Sequence, residues 1–356
     1  TDQRGVARPL PDGTNPDIGA FELDQSDPRP PGIGTTFVVT STADTVADDG
    51  VLTLREALAL ADADNLTADR IEFASQIQGQ TILLGGSELT IHSDVTIDGG
   101  GVTINASGAS RVLSVEGLDA DVTLRQLTVT GGRTSDETAQ GGAGIYARDD
   151  TTLALYGVSV VGNHSGGSGG GIRGDAITLI NSTVSGNTAS DGYTGGISAG
   201  TVTLINSTVS GNSADVNGGI HGHYVTLTNS RVSDNIAAGD LTSFGGGIDG
   251  GYVSLINSSV SGNSAEIGGG IFGSSVIVTN STISNNTAEF RSGGIEGQHV
   301  TLTNSTISGN SAKDNSGGIN GEYVTLIHST ITGNSARYAG GGVYSSIAST
   351  NNSIVA

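Results

Sequence analysis

The chain has 356 residues, of which 58 are Gly, none is Cys or Trp, and 4% are aromatic; such a composition argues against an ordinary globular core and for a repetitive, shallow-cored architecture. Its formal charge of -21 repels phosphate backbones and anionic lipid, which disfavours nucleic-acid binding and peripheral membrane binding. Without Cys no disulfide or thiolate metal site can form, and no apolar run nears the roughly 18 residues of a spanning helix, so membrane insertion is not expected.

Residues 1–22, TDQRGVARPLPDGTNPDIGAFE, are punctuated by Pro, Gly and Asp and show a strand-like pattern only from Asp17 to Glu22. They read as a tail segment, followed by a linker over 23–35. A first residue Thr, with no signal-peptide apolar region, favours a processed or excised part of a secreted protein. Residues 36–85 are expected to form an N-terminal cap with a helix near 53–62. There Thr53 and Glu56 make a capping box, and Leu54, Ala57, Leu58 and Ala61 fall on one face. Such a helix can plug the apolar end of a stack of coils and block edge-to-edge pairing.

Residues 86–356 are expected to be β-helix coils. From residue 151 one phrase recurs, as in ITLINSTVSGN (177–187), VSLINSSVSGN (253–263) and VTLTNSTISGN (300–310), followed by a variable loop and Gly-Gly-Ile or a close relative. The closing residues Asn163, Asn187, Asn212, Asn235, Asn263, Asn286, Asn310 and Asn334 are spaced by 24, 25, 23, 28, 23, 24 and 24 residues. Steps that vary by single residues indicate loops of changing length between fixed strands. Val-x-Leu and the Val or Ile after the central Asn alternate with Thr and Ser, the period of a half-buried strand. Two strands from this phrase and a third at Gly-Gly-Ile give three strands per coil of ~24 residues. The fold class is therefore all-β, a right-handed parallel β-helix, rather than a set of hairpins. The central residues Asn181, Asn206, Asn229, Asn257, Asn280, Asn304 and Asn351, with His328 in register, are expected to stack at a buried bend and bond one another. Several also read as glycosylation sequons, such as Asn181-Ser182-Thr183.

The segment FVVTSTADTVADDGVLTLREALALADAD (37–64) resembles the N-terminal signature of secreted bacterial β-helix proteins named for a Cys-Ser-Leu-Arg-Glu-Ala motif (CSLREA). Here the motif reads Leu52-Thr53-Leu54-Arg55-Glu56-Ala57, with Leu52 in the place of Cys. The Gly-Gly-Ile and Ser-Gly-Asn repeats are similar to those of the same family and of polymorphic outer-membrane adhesins. DQRGVARP and DIGAFE, within residues 2–22, resemble the end of the choice-of-anchor Q module, where they follow a segment like NNSIVA. The resemblance implies an extracellular or cell-surface location and no settled activity.

In that family the tail follows the coils, whereas here it precedes them. The 13-residue linker reaches only ~45 Å, short of a rod on the order of 60 Å. Asp2, Arg4, Asp17, Ile18 and Phe21 are accordingly expected to complete the coil around Ile354 and Val355 of an adjacent unit, either as the next unit of a tandem array in a longer polypeptide or as a separate subunit, by strand addition. The chain then reads as a structural module of an extracellular filament, sheath or adhesin whose partner is itself, head to tail.

Two other classes compete with that reading. A polysaccharide lyase or glycoside hydrolase would use the column after Gly-Gly-Ile: Arg173, Ser198, His221, Asp249, Phe272, Glu296, Asn320 and Tyr344. His221, Asp249 and Glu296 are the candidates, the two carboxylates ~10 Å apart across two strand spacings. The column has no adjacent cation for an acidic substrate and the repeat around it is uniform, so catalysis is not expected. A carbohydrate- or ice-binding module would use Tyr224, Tyr252, His299 and Tyr323 as a stacking strip for surface glycans, or the row Thr178, Thr203, Thr226, Ser254, Ile277, Thr301 and Thr325 as a flat hydroxyl array. No organic cofactor is indicated. Calcium is the candidate metal, at the oxygen-rich loops holding Asp44, Asp48 and Asp49, and Asp62, Asp64, Asn65 and Asp69.

Overall fold

A computed structural model describes residues 34–63, 68–135, 140–190, 193–239, 243–338 and 340–356. The tail residues Asp2, Arg4, Asp17, Ile18 and Phe21 lie outside the described residues, as does most of the linker. The described chain is a parallel β-solenoid with sheets of 16, 12 and 9 strands on its three faces. Every pairing between consecutive coils is parallel, as between Ile295–Thr303 and Ile319–Ile327. Among the described residues no helix is long and apolar enough to cross a membrane.

The alternation seen in the sequence sets the faces. Val-x-Leu points inward, so that Val276, Val300 and Val324 stack in one column and Val278, Leu302 and Leu326 in the next, all 0–1% exposed. The row from Thr178 to Thr325 points outward in register, interrupted by Ile277, which is 50% exposed. Three strands per coil are present, but their division differs from the expected one. Gly-Gly-Ile opens a nine-residue strand that runs on into Val-x-Leu, as in Ile295–Thr303; the second strand is Thr306–Ser308 and the third is Ser311–Ala312, after the closing Asn. Within that strand position 297 is Gly, where a Cβ would lie 2.9 Å from the Val300 Cγ2.

The expected helix is present as Leu54–Asp62, with both halves of the capping box made. Glu56 is 1% exposed; one carboxylate oxygen accepts from the Thr53 amide at 2.9 Å and the other from the Ala47 amide at 2.7 Å. Leu54, Ala57, Leu58 and Ala61 are buried in the common core. Strands Thr36–Val39 and Asp69–Phe73 are the first two members of the long sheet, so the cap is continuous with the coils.

The buried ladder runs along the other asparagine of each repeat. Nδ2 of Asn187 donates to Oδ1 of Asn212 at 3.0 Å, Asn212 to Asn235 at 2.9 Å, and the same bond recurs from Asn163 to Asn334. Each Oδ1 also accepts the backbone N–H of the preceding Asn, as from Asn235 to Asn263 at 3.0 Å. The column Asn181, Asn206, Asn229, Asn257, Asn280 and Asn304, expected to form this ladder, is instead exposed at the turn, with φ between 49° and 52°. Asn is used there because its short polar side chain tolerates the left-handed region. Asn351 lies one residue out of register, opposite Ile327; the left-handed member of its coil is Asn352. A second ladder follows that turn, in which Ser182, Ser207, Ser230 and their successors are buried and each hydroxyl from Ser207 on accepts the preceding coil's Ser N–H at 2.9–3.2 Å.

Candidate functional site

The outward position after Gly-Gly-Ile aligns coil by coil, in the register Arg173–Ser198–His221–Asp249–Phe272–Glu296–Asn320–Tyr344. Its polar members fall into two groups separated by Phe272. In the first, His221 Nδ1 lies 2.9 Å from Asp249 Oδ2. Asn217, turned to donate, places its amide nitrogen 3.2 Å from the same oxygen. His221 is 48% exposed and Asp249 18%. The hydrogen bond to Asp249 is the chief cause that raises the His221 pKa above its ordinary 6.5; partial burial opposes this and the Asp249 charge adds to it.

Because folding raises this pKa, the pair's contribution to stability is complete below the unfolded value of about 6.5 and fades as the pH rises through the folded value. An NMR titration is expected to show His221 titrating above 6.5 and moving down in Asp249→Asn. A midpoint at or below 6.5 in the parent protein would contradict the pairing.

The second group centres on Glu296, 15% exposed, whose Oε1 is 3.5 Å from Nε of Arg291. Asn320 Nδ2 donates to Glu296 Oε2 at 2.9 Å, and the Ser292 hydroxyl makes a short bond to the same oxygen. Arg291 corrects the expectation that the column has no adjacent cation. It enters from the strand Thr287–Arg291, part of the variable loop before Gly-Gly-Ile, where the repeat offers no register. Ser292 and Asn217 were also missed. They occupy the position four residues before the column, which is Gly169, Gly245, Gly268 or Gly340 in four coils but also Thr194 and Ser316 in two others, so a polar residue there narrows the choice to four coils and becomes informative only beside a carboxylate in the column.

Around Glu296 the surface is concave, a groove of about 420 Å³ lined among others by Phe272, Arg291, Glu296, Gln298, Asn320, Glu322 and Tyr344. Phe272 is braced by Phe244, at 4.9 Å between ring centroids. The proposed stacking strip is broken. Tyr224 stacks on Tyr252 at 5.2 Å and His299 on Tyr323 at 4.9 Å, but Ser275 stands between the pairs in register. Stacked along the axis, these rings spend their faces on one another.

The acidic loops near the cap are occupied by protein partners. Asp44 is paired with Arg55 through both carboxylate oxygens, at 2.8 and 2.9 Å, and Arg55 ties this loop to the carbonyls of Ser87 and Glu88. Asp62 accepts from the His92 amide at 2.8 Å and contacts its ring at 2.9 Å. Asp69 is buried and accepts from the Thr35 amide at 2.6 Å. Asp49 accepts from the Val51 amide, and Asp48 is exposed beside it. Asp64 and Asn65 lie outside the described residues. Among the described residues no three His, Cys, Asp or Glu side chains come together as a metal site.

No family profile and no curated protein matches the chain. Among solved structures it is similar to the crystal structure of the pectate lyase Pel9A, with 12% identity and a TM-score of 0.37, covering 90% of this chain and 79% of that one.

Proposed function

We propose that the chain is a structural module of an extracellular or cell-surface filament, sheath or adhesin, in which coils are added end to end. The in-register stacking of near-identical coils carries this reading, because each coil offers the next the same parallel strand edges. At one end the helix Leu54–Asp62 covers the apolar cross-section. At the other, strands Val343–Asn351 and Ile354–Val355 continue the stack in register with the coil before them. A further coil of this repeat, from the same or another chain, would pair with them in the same register. Residues 1–22 supply a segment with the right pattern, through Asp17, Ile18 and Phe21, donated from a neighbouring unit. Such a contact is head to tail and does not close on itself, so it propagates. Electron microscopy of the purified chain is expected to show rods joined end to end, and removal of residues 1–22 to give single rods that bind the free peptide at one end without rejoining. A full-length chain that sediments as a monomer at all concentrations would overturn this reading.

A further inference from the structure

We propose that the groove running from Phe272 to Tyr344 is a binding site for an uncharged oligosaccharide. Four residues on consecutive coils define it, in the order Phe272, Glu296, Asn320 and Tyr344. The two rings stand three strand spacings apart, about 14 Å, room for roughly two or three pyranose rings laid along the solenoid axis. Aromatic faces suit the C–H faces of sugars, and planar amide and carboxylate groups suit pairs of neighbouring hydroxyls. The groove places the second kind between two of the first.

The polar floor is already ordered. Glu296 is held by Asn320, Ser292 and Arg291, and Gln298 contacts Glu322 at 3.3 Å. Hydroxyl groups would therefore meet fixed donors and acceptors, with little ordering left to do on binding. Charge selects the ligand class. The lining carries two carboxylates, Glu296 and Glu322, against one guanidinium, Arg291, and that guanidinium is engaged by Glu296. In a chain of net charge -21, a polyuronate would meet net repulsion. Arg291 and Tyr344 also set the groove apart from the rest of the column, because no other pair of aromatic rings on it flanks a carboxylate held by an arginine. Tyr344 stands on the strand Val343–Asn351, where a further coil would add, whereas Phe272 lies three coils away, so Phe272→Ala reports on the groove apart from any end-to-end contact.

The test is isothermal titration calorimetry of the intact chain with cello-, xylo- and galactohexaose and with an oligogalacturonate of the same length. At least one neutral hexasaccharide is expected to bind, more tightly than the oligogalacturonate. Phe272→Ala and Tyr344→Ala are each expected to weaken it about tenfold, while Tyr224→Ala, on a neighbouring column, leaves it unchanged. Circular dichroism melts confirm that each variant is folded, and Tyr344, 54% exposed, is the variant least at risk. The proposal is overturned if none of the neutral sugars binds, if both ring deletions leave affinity unchanged, or if the oligogalacturonate binds more tightly.

Discussion

Leu302→Asp is expected to unravel the coils around it and not merely to lower the melting temperature by a few degrees. Leu302 is 0% exposed and stacked between Val278 and Leu326. Replacing it removes about 2–5 kcal/mol of packing and buries a carboxyl group with no partner, a further cost of several kcal/mol whether the group ionises or stays protonated. The sum is comparable with the entire stability of an ordinary domain. Because each coil rests only on its neighbours, the damage stays local. Limited proteolysis should cut near residue 302 while the capped N-terminal coils remain protected; a melting temperature and a digestion pattern like the parent's would show that Leu302 does not face the core.

The second large effect is expected at the amide ladder. Asn263→Ala leaves the amide nitrogen and Nδ2 of Asn235 without the oxygen they share, at 3.0 and 2.9 Å, and removes the donor to the Val232 carbonyl at 3.2 Å. At about 1–3 kcal/mol for each of the three buried groups stranded, the loss is about 3–9 kcal/mol. Asn257→Ala, six residues earlier, is the matched comparison. Its side chain is exposed and its φ of 50° makes the substitution cost only about 1–2 kcal/mol of backbone strain, which Asn257→Gly would relieve. Urea unfolding of the two alanine variants separates the roles; equal losses would mean that the ladder contributes no more than the turn.

That comparison also shows where reading the sequence succeeds and where it fails. Strand faces were legible because Val-x-Leu repeats with a period of two, and a side chain of that kind has one place to go. The helix was legible because Thr53 and Glu56 at a spacing of three satisfy two backbone donors whatever surrounds them. The asparagines were not, because a left-handed turn and a buried amide ladder both demand Asn and each coil contains one of each. The clue lay in the exceptions: the turn column admits Gly157 and His328, whereas the column from Asn163 to Asn334 admits none. Residues that tolerate replacement by His face water. In the candidate site, His221, Asp249 and Glu296 could be aligned because they sit at a fixed offset from Gly-Gly-Ile. Arg291 could not, because its loop changes length from coil to coil and no spacing predicts which way it folds.

The pairing of each interior strand with the coils above and below it has a mechanical consequence. Almost all backbone hydrogen bonds lie along the solenoid axis, so a load applied between the two ends pulls along these bonds and meets them one coil at a time. Each rupture would release about 24 residues, or roughly 80 Å of slack chain at full extension, while the coils still wound keep their ladders intact. The protein would then yield in equal steps under tension and dissipate work at each, behaving less like a rigid strut than like a coiled tether that lengthens before it breaks.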